Sequence, residues 1–168
     1  LTEYAIPLFE YLNSSVLNVT TNGTFSYLAG VFLGQKYSYS NTEDNALAIM
    51  EMIDLYKLTN NTDYLDSINR TWYFMNESQW DSSNLGYFSS DNSSQDSKLI
   101  YSNLISIQAN LEIASLSTPY FDSNYANLKD NASLMANFTL KLIIQNAWDS
   151  VNHGIFSNAT ADWTPDNE

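Results

Sequence analysis

Few residues in this chain have chemistry to offer, and the adjacent carboxylates Glu43 and Asp44 come first among them. They stand just ahead of Ala46, Ile49, Met50, Ile53 and Tyr56, an apolar series spaced by threes and fours, so both acids fall in the first turn of a helix expected to begin near Thr42. Carboxylates there can exchange protons with a ligand, and they also interact favourably with the helix dipole. Neighbouring helical residues point about 100° apart, so the helix alone does not aim the two acids at one point. Ser40 and Glu43 have capping-box spacing, which gives Glu43 a second expected role in reaching back to the helix start.

Other polar clusters are less specific. Asp81, Asn84 and the backbone near Gly86, repeated as Asp149, Asn152 and Gly154, put oxygen atoms in a tight loop of the kind that holds Ca²⁺ weakly. Asx side chains and glycine also stabilise turns by local hydrogen bonding and positive φ, and that use is the expected one, with no metal site. The single histidine, His153, lies in the second of these loops and reads as a loop residue. Cysteine is absent, which removes disulfides, thiolate nucleophiles and zinc–sulfur sites. No Ser–His–Asp signature, phosphate-cradling glycine loop, HExxH or dinucleotide fingerprint occurs, and no cofactor is expected.

Ten Asn-x-Ser/Thr sequons open at Asn13, Asn18, Asn22, Asn60, Asn69, Asn76, Asn92, Asn131, Asn137 and Asn158. Composition alone would give roughly four, so covalent N-glycans are expected partners. With 6 basic against 19 acidic residues, the net charge of −13 argues against binding nucleic acid or an anionic membrane. No apolar run approaches the roughly 20 residues that span a bilayer. A chain starting at Leu1 with no signal-like segment suggests a processed chain or a fragment. Sparse charge, abundant Asn, Ser, Thr and Tyr, and the sequons together suggest an extracellular or cell-surface location, and the lack of cysteine suggests an archaeal one.

The elements that must position these residues form a repeat. Trp80-Asp81-Ser82-Ser83-Asn84-Leu85-Gly86-Tyr87-Phe88-Ser89 returns as Trp148-Asp149-Ser150-Val151-Asn152-His153-Gly154-Ile155-Phe156-Ser157, with seven of ten positions identical. A degenerate third copy is read at Asn22-Gly23-Thr24-Phe25-Ser26, aligning Gly23 with Gly86. The step between copies fits two helices and a turn. Stripes at Leu65, Ile68, Trp72 and Met75, at Leu104, Ile107, Leu111 and Ala114 near 98–116, and at Met135, Phe138 and Leu142 near 131–147 supply further helices. Tyr4, Ile6, Leu8, Phe9 and Leu12 form the second helix of an earlier hairpin. The expectation is one all-α module over 1–168, with a half hairpin at 1–26 and hairpins at 40–90 and 98–158.

The run Glu43-Asp44-Asn45-Ala46-Leu47-Ala48-Ile49, then Asp54-Leu55-Tyr56-Lys57-Leu58-Thr59 through Asp63-Tyr64-Leu65, then Trp80-Asp81 and Gly86-Tyr87-Phe88, resembles one hairpin of the six-hairpin (α/α)-toroid glycosidase-like superfamily. The likeness is to its N-acylglucosamine 2-epimerase-like and thioredoxin-linked glycosidase-like branches, and it covers roughly residues 40–158. It implies part of an (α/α) toroid with Trp-Asp…Gly-x-Phe turns between hairpins. It also implies that Glu43 and Asp44 are the catalytic candidates, because glycosidic-bond hydrolysis uses paired carboxylates, which in toroid enzymes lie at inner-helix starts. Epimerase-type members use histidines as acid–base groups, so His153 alone does not carry that activity over. The leading expectation is a densely glycosylated repeat protein with a structural or surface-assembly role, filament or coat, through self-association or further hairpins. The alternative is a piece of a toroid glycan-processing enzyme or carbohydrate-binding protein.

Overall fold

The computed structural model describes residues 2–28, 31–32, 35–36, 38–92 and 97–165. Helix α1 (Thr2–Val16) leads into an antiparallel pair, β1 (Leu17–Val19) and β2 (Phe25–Tyr27), followed by the short pair β3 (Val31–Phe32) and β4 (Gln35–Lys36). Then come α2 (Thr42–Thr59) and α3 (Asp63–Phe74), β5 (Ser97–Leu99), α4 (Ile100–Ser115), the short α5 (Pro119–Asn124) and α6 (Ala126–Leu142). The strands β6 (Trp148–Asp149) and β7 (Gly154–Ile155) form the second turn, and β8 (Asn158–Thr160) pairs back with β5. Among the described residues this is an all-α fold with short strands at the turns. Helices α2 and α4 pack side by side as an inner layer, with α3 and α6 outside them.

Each hairpin is closed by local chemistry. Asn60, at φ 56, ends α2, and its amide donates to the Tyr56 carbonyl. Thr118 caps α5, its hydroxyl accepting from the Phe121 amide ahead of Pro119. Both outer helices end in a π-helical turn, Met75–Gln79 after α3 and Ile143–Ala147 after α6, each directly before a tryptophan.

One device ties the turns to the inner helices. Asn45, the fourth residue of α2, accepts the Tyr27 amide hydrogen bond on Oδ1 at 2.7 Å and donates from Nδ2 to the Asn41 carbonyl. Asn103, the fourth residue of α4, accepts from the Tyr87 amide at 2.8 Å and donates to the Leu99 and Tyr87 carbonyls. Both side chains are fully buried, and removing either would strand a backbone amide at a cost of about 1–3 kcal/mol. Tyr27 is therefore the counterpart of Tyr87. It lies opposite Leu17 as Tyr87 lies opposite Trp80, so the first turn is longer than the others and the alignment of Gly23 with Gly86 is shifted.

Three further expectations are corrected. The capping box does not form: Ser40 lies outside the helix, where its hydroxyl accepts from Asn45 and Gln79, and α2 starts without a side-chain cap. Helix α6 starts at Ala126 rather than near 131, with α5 occupying part of the longer connection. Leu104 and Leu111, assigned to the core stripe of α4, are exposed, as are Leu47 of α2 and Phe138 of α6. Beside Ile100, Ile107, Ala109 and Ile113, the buried part of α4 carries Ser102, Asn103, Ser106 and Asn110, of which Asn103 bonds turn backbone and Ser106 and Asn110 bond helix backbone where leucine cannot.

Candidate functional site

Glu43 and Asp44 stand where α2 begins, beside the start of α4. Thr42 anchors that end, its amide bonding the Ser89 carbonyl and its hydroxyl the Phe88 carbonyl. Glu43 leans across to the neighbouring inner helix, where the Ser102 hydroxyl donates to its Oε2 at 3.1 Å. Asp44 stays on its own side and accepts on Oδ2 from the Asn41 side-chain amide at 3.0 Å. The angular separation expected of adjacent residues is realised, and each carboxylate has a different partner.

Their surroundings form a shallow depression lined by Asn41, Glu43, Ser89, Ser97, Leu99 and Ser102. Partial burial raises the Asp44 carboxyl above the ordinary carboxylate range; the Asn41 hydrogen bond opposes this and the Glu43 charge adds to it. A carboxyl shifted this way holds a proton more readily than an ordinary one, while Glu43 differs in having its Oε2 held by the Ser102 hydroxyl. Ser102 and Asn41 are the site residues that sequence reasoning passed over. Aligning α2 and α4 through Asn45 and Asn103 places Tyr101 and Ser102 opposite Glu43 and Asp44, which shows where acids are missing but not that serine reaches back to Glu43.

The other chemical candidates resolve into structure. Asp81 Oδ1 accepts the amides of Ser83 and Asn84, and its Oδ2 accepts from Asn84 Nδ2 and, at 2.8 Å, from the buried Lys98 ammonium. Burial works against Asp81 ionisation, but Lys98 and the turn amides outweigh it and hold the carboxyl below its usual range. Lys98 also bonds the Ala161 carbonyl and faces the rings of Phe88 and Trp163. Asp149 repeats the amide bonds in an exposed turn. Among the described residues, no group of three or more His, Asp or Glu side chains is placed to hold a metal ion. His153 is exposed at φ 55, matching Leu85 at φ 61 in the first turn.

Of the sequon asparagines, Asn18, Asn22, Asn60, Asn131 and Asn137 are exposed. Asn69, Asn76, Asn92 and Asn158 are half-buried, and half-buried Asn13 accepts the Tyr27 hydroxyl bond. Trp72 is buried and its indole bonds Asn110, whereas Trp148 is largely exposed. No described helix is long and apolar enough to cross a membrane.

No family model and no curated protein matches this sequence. Solved structures do. The cellobiose 2-epimerase of Spirochaeta thermophila superposes with a TM-score of 0.77 at 16% identity, over 100% of this chain and 39% of that one. The cellobiose 2-epimerase of Bacillus thermoamylovorans gives 0.74 at 15% identity, over 99% and 43%. A family 76 α-mannanase of Bacteroides thetaiotaomicron gives 0.68 at 15% identity, over 99% and 45%. The chain thus has the fold of part of an (α/α) toroid, and it spans less than half the length of these similar structures. The resemblance read from the Trp-Asp…Gly-x-Phe turns is borne out at the level of fold.

Proposed function

We propose that this chain is part of an (α/α) toroid that acts on carbohydrate, with Asp44 and Glu43 as its acid–base pair. The observation that carries the reading is the pair's unlike environments at the start of an inner helix. Asp44 is partly buried, which raises its carboxyl pKa, and Glu43 is hydrogen-bonded by Ser102. Support comes from the similar structures, which include sugar epimerases and a mannanase. Within this chain the hydrolase-like chemistry is favoured over the epimerase-like one, because the sole histidine sits in an exposed turn away from the pair. The structural or coat role has no counterpart among the three structures named above. N-glycosylation is proposed at the exposed sequons Asn18, Asn22, Asn60, Asn131 and Asn137, which fits an extracellular protein.

The test uses the full natural protein with manno- and gluco-oligosaccharides. Asp44→Asn and Glu43→Gln are each expected to lower kcat/KM by about 100-fold or more without lowering the melting temperature. For Asp44→Asn a slight rise in melting temperature is expected at pH 7, since a raised carboxyl pKa means that the ionised form burdens the fold there. Unchanged turnover in both variants would remove the proposal.

A further inference from the structure

A second depression, of about 420 Å³, lies between the turn that joins β1 to β2 and the later part of α3 with the π-helical turn after it. Asn22 and Gly23 line one side, and Asn69, Arg70, Tyr73 and Glu77 line the other, so it shares no residue with the depression around Glu43. Its volume is within the range of about 300–1,000 Å³ common to small-ligand sites. The Arg70 guanidinium rests on the Phe25 ring of β2, 4.9 Å from the ring centre, and among the described residues it makes no ion pair. Its N–H donors stand beside the Glu77 carboxylate, which only accepts, and the Asn69 amide, which does both. Tyr73 is 43% exposed, and its ring is held edge-on by Trp72. An aromatic face next to mixed donors and acceptors suits a sugar ring, which has apolar C–H faces and a rim of hydroxyls.

Two sequon asparagines open on this one depression, in unlike states. Asn22 is exposed at the tip of the turn, beside Gly23 at φ 76, and nothing lies within 4 Å of where a Gly23 side chain would stand. In the next turn the equivalent space over Gly86, at φ 81, is filled by the Trp163 ring. Asn69 is half-buried within α3, and Thr71 of its sequon is fully buried with its hydroxyl bonded to the Ser67 carbonyl.

We propose that the depression seats the glycan linked to Asn22, with a sugar ring against Tyr73 and hydroxyls bonded to Arg70, Glu77 and Asn69, and that Asn69 itself carries none. The linkage forms when Asn22 Nδ2 attacks the anomeric carbon of a diphosphate-activated sugar donor. The new bond joins that carbon to nitrogen, the bond from carbon to diphosphate oxygen breaks, Nδ2 gives up one proton, and the diphosphate leaves with the electron pair. Because the glycan is tethered at the rim, its effective concentration in the depression is of about millimolar order, and a few weak contacts suffice to hold it. A free sugar would compete with this tethered one for the same space.

The inference rests on the modification of Asn22 proposed above and not on the acid–base pair. In the full natural protein, glycopeptide mass spectrometry is expected to find sugar on Asn22 and none on Asn69. An amidase that cuts the glycan–asparagine bond is expected to release the Asn22 glycan at least ~10-fold faster from folded Tyr73→Ala than from the folded unmutated protein, since the seated sugar is protected. Arg70→Gln, at an exposed position, is expected to act in the same direction and serves alone should Tyr73→Ala not fold. A bare Asn22 would overturn both the inference and the modification beneath it. Sugar on Asn22 whose release neither substitution speeds would overturn the seating alone, as would sugar on both Asn22 and Asn69.

Discussion

Two turns built from nearly the same ten residues live in different surroundings. In both, the leading aspartate accepts two backbone amides ahead of it and the side chain of the asparagine three residues on. Both also place a non-glycine residue at positive φ, Leu85 and His153. Around the first turn, Lys98 neutralises Asp81, the Trp163 ring lies on Gly86 while its indole bonds the Asn84 and Leu85 carbonyls, and Asn103 clamps Tyr87. Around the second, Trp148, Val151 and Ile155 face outward and nothing lies where a Gly154 side chain would stand. Local sequence makes the turn, and the next hairpin makes it part of a core.

That contrast can be broken most forcefully at Lys98. Replacing Lys98 by Met leaves the Asp81 carboxylate buried without its cation and is expected to cost about 3–5 kcal/mol at pH 7, read by urea unfolding. Because the folded-state pKa of Asp81 is depressed, its contribution is fully present above the unfolded carboxylate value of about 3.9 and is lost as pH falls through the lower folded value. The Lys98→Met deficit should therefore shrink in acid; a deficit constant from pH 7 to pH 2 would refute the ion-pair account.

Gly86→Ala comes next. The added methyl would overlap the Trp163 ring at a residue held at φ 81, so a loss of about 3 kcal/mol is expected, while Gly154→Ala should stay within about 0.5 kcal/mol. Equal effects would show that the two turns are alike in solution. The smallest contrast is between clamp and turn asparagines: Asn103→Ala is expected to cost about 2 kcal/mol and the exposed Asn152→Ala about 0.5–1 kcal/mol, with thermal unfolding as the measure.

Much of this was legible in the residues. Apolar spacing placed α2 and α3, and the repeated Trp-Asp…Gly-x-Phe phrase located the turns, because helices and Asx turns are decided by neighbours a few residues away. The site was legible only in part. Glu43 and Asp44 were visible as first-turn acids, but the assignment of Glu43 to a capping box failed, since its carboxylate is taken by Ser102, 59 residues along the chain. Leu104 and Leu111 were misjudged for a related reason. Periodicity reports that a face is apolar without reporting whether a neighbour covers it, and the buried part of α4 mixes Ala109 and Ile113, which join the α2 core, with Asn103 and Asn110, which bond the Tyr87 amide and hydroxyl.

By itself, the sequence determined a chain of helical hairpins with stereotyped turns, because backbone propensity, capping and Asx bonding act over short separations. Only the tertiary structure decided which of two like turns is buried, which apolar stripe is left open and which partner each carboxylate finds. These depend on groups brought together from distant parts of the chain, where packing and desolvation override local preference.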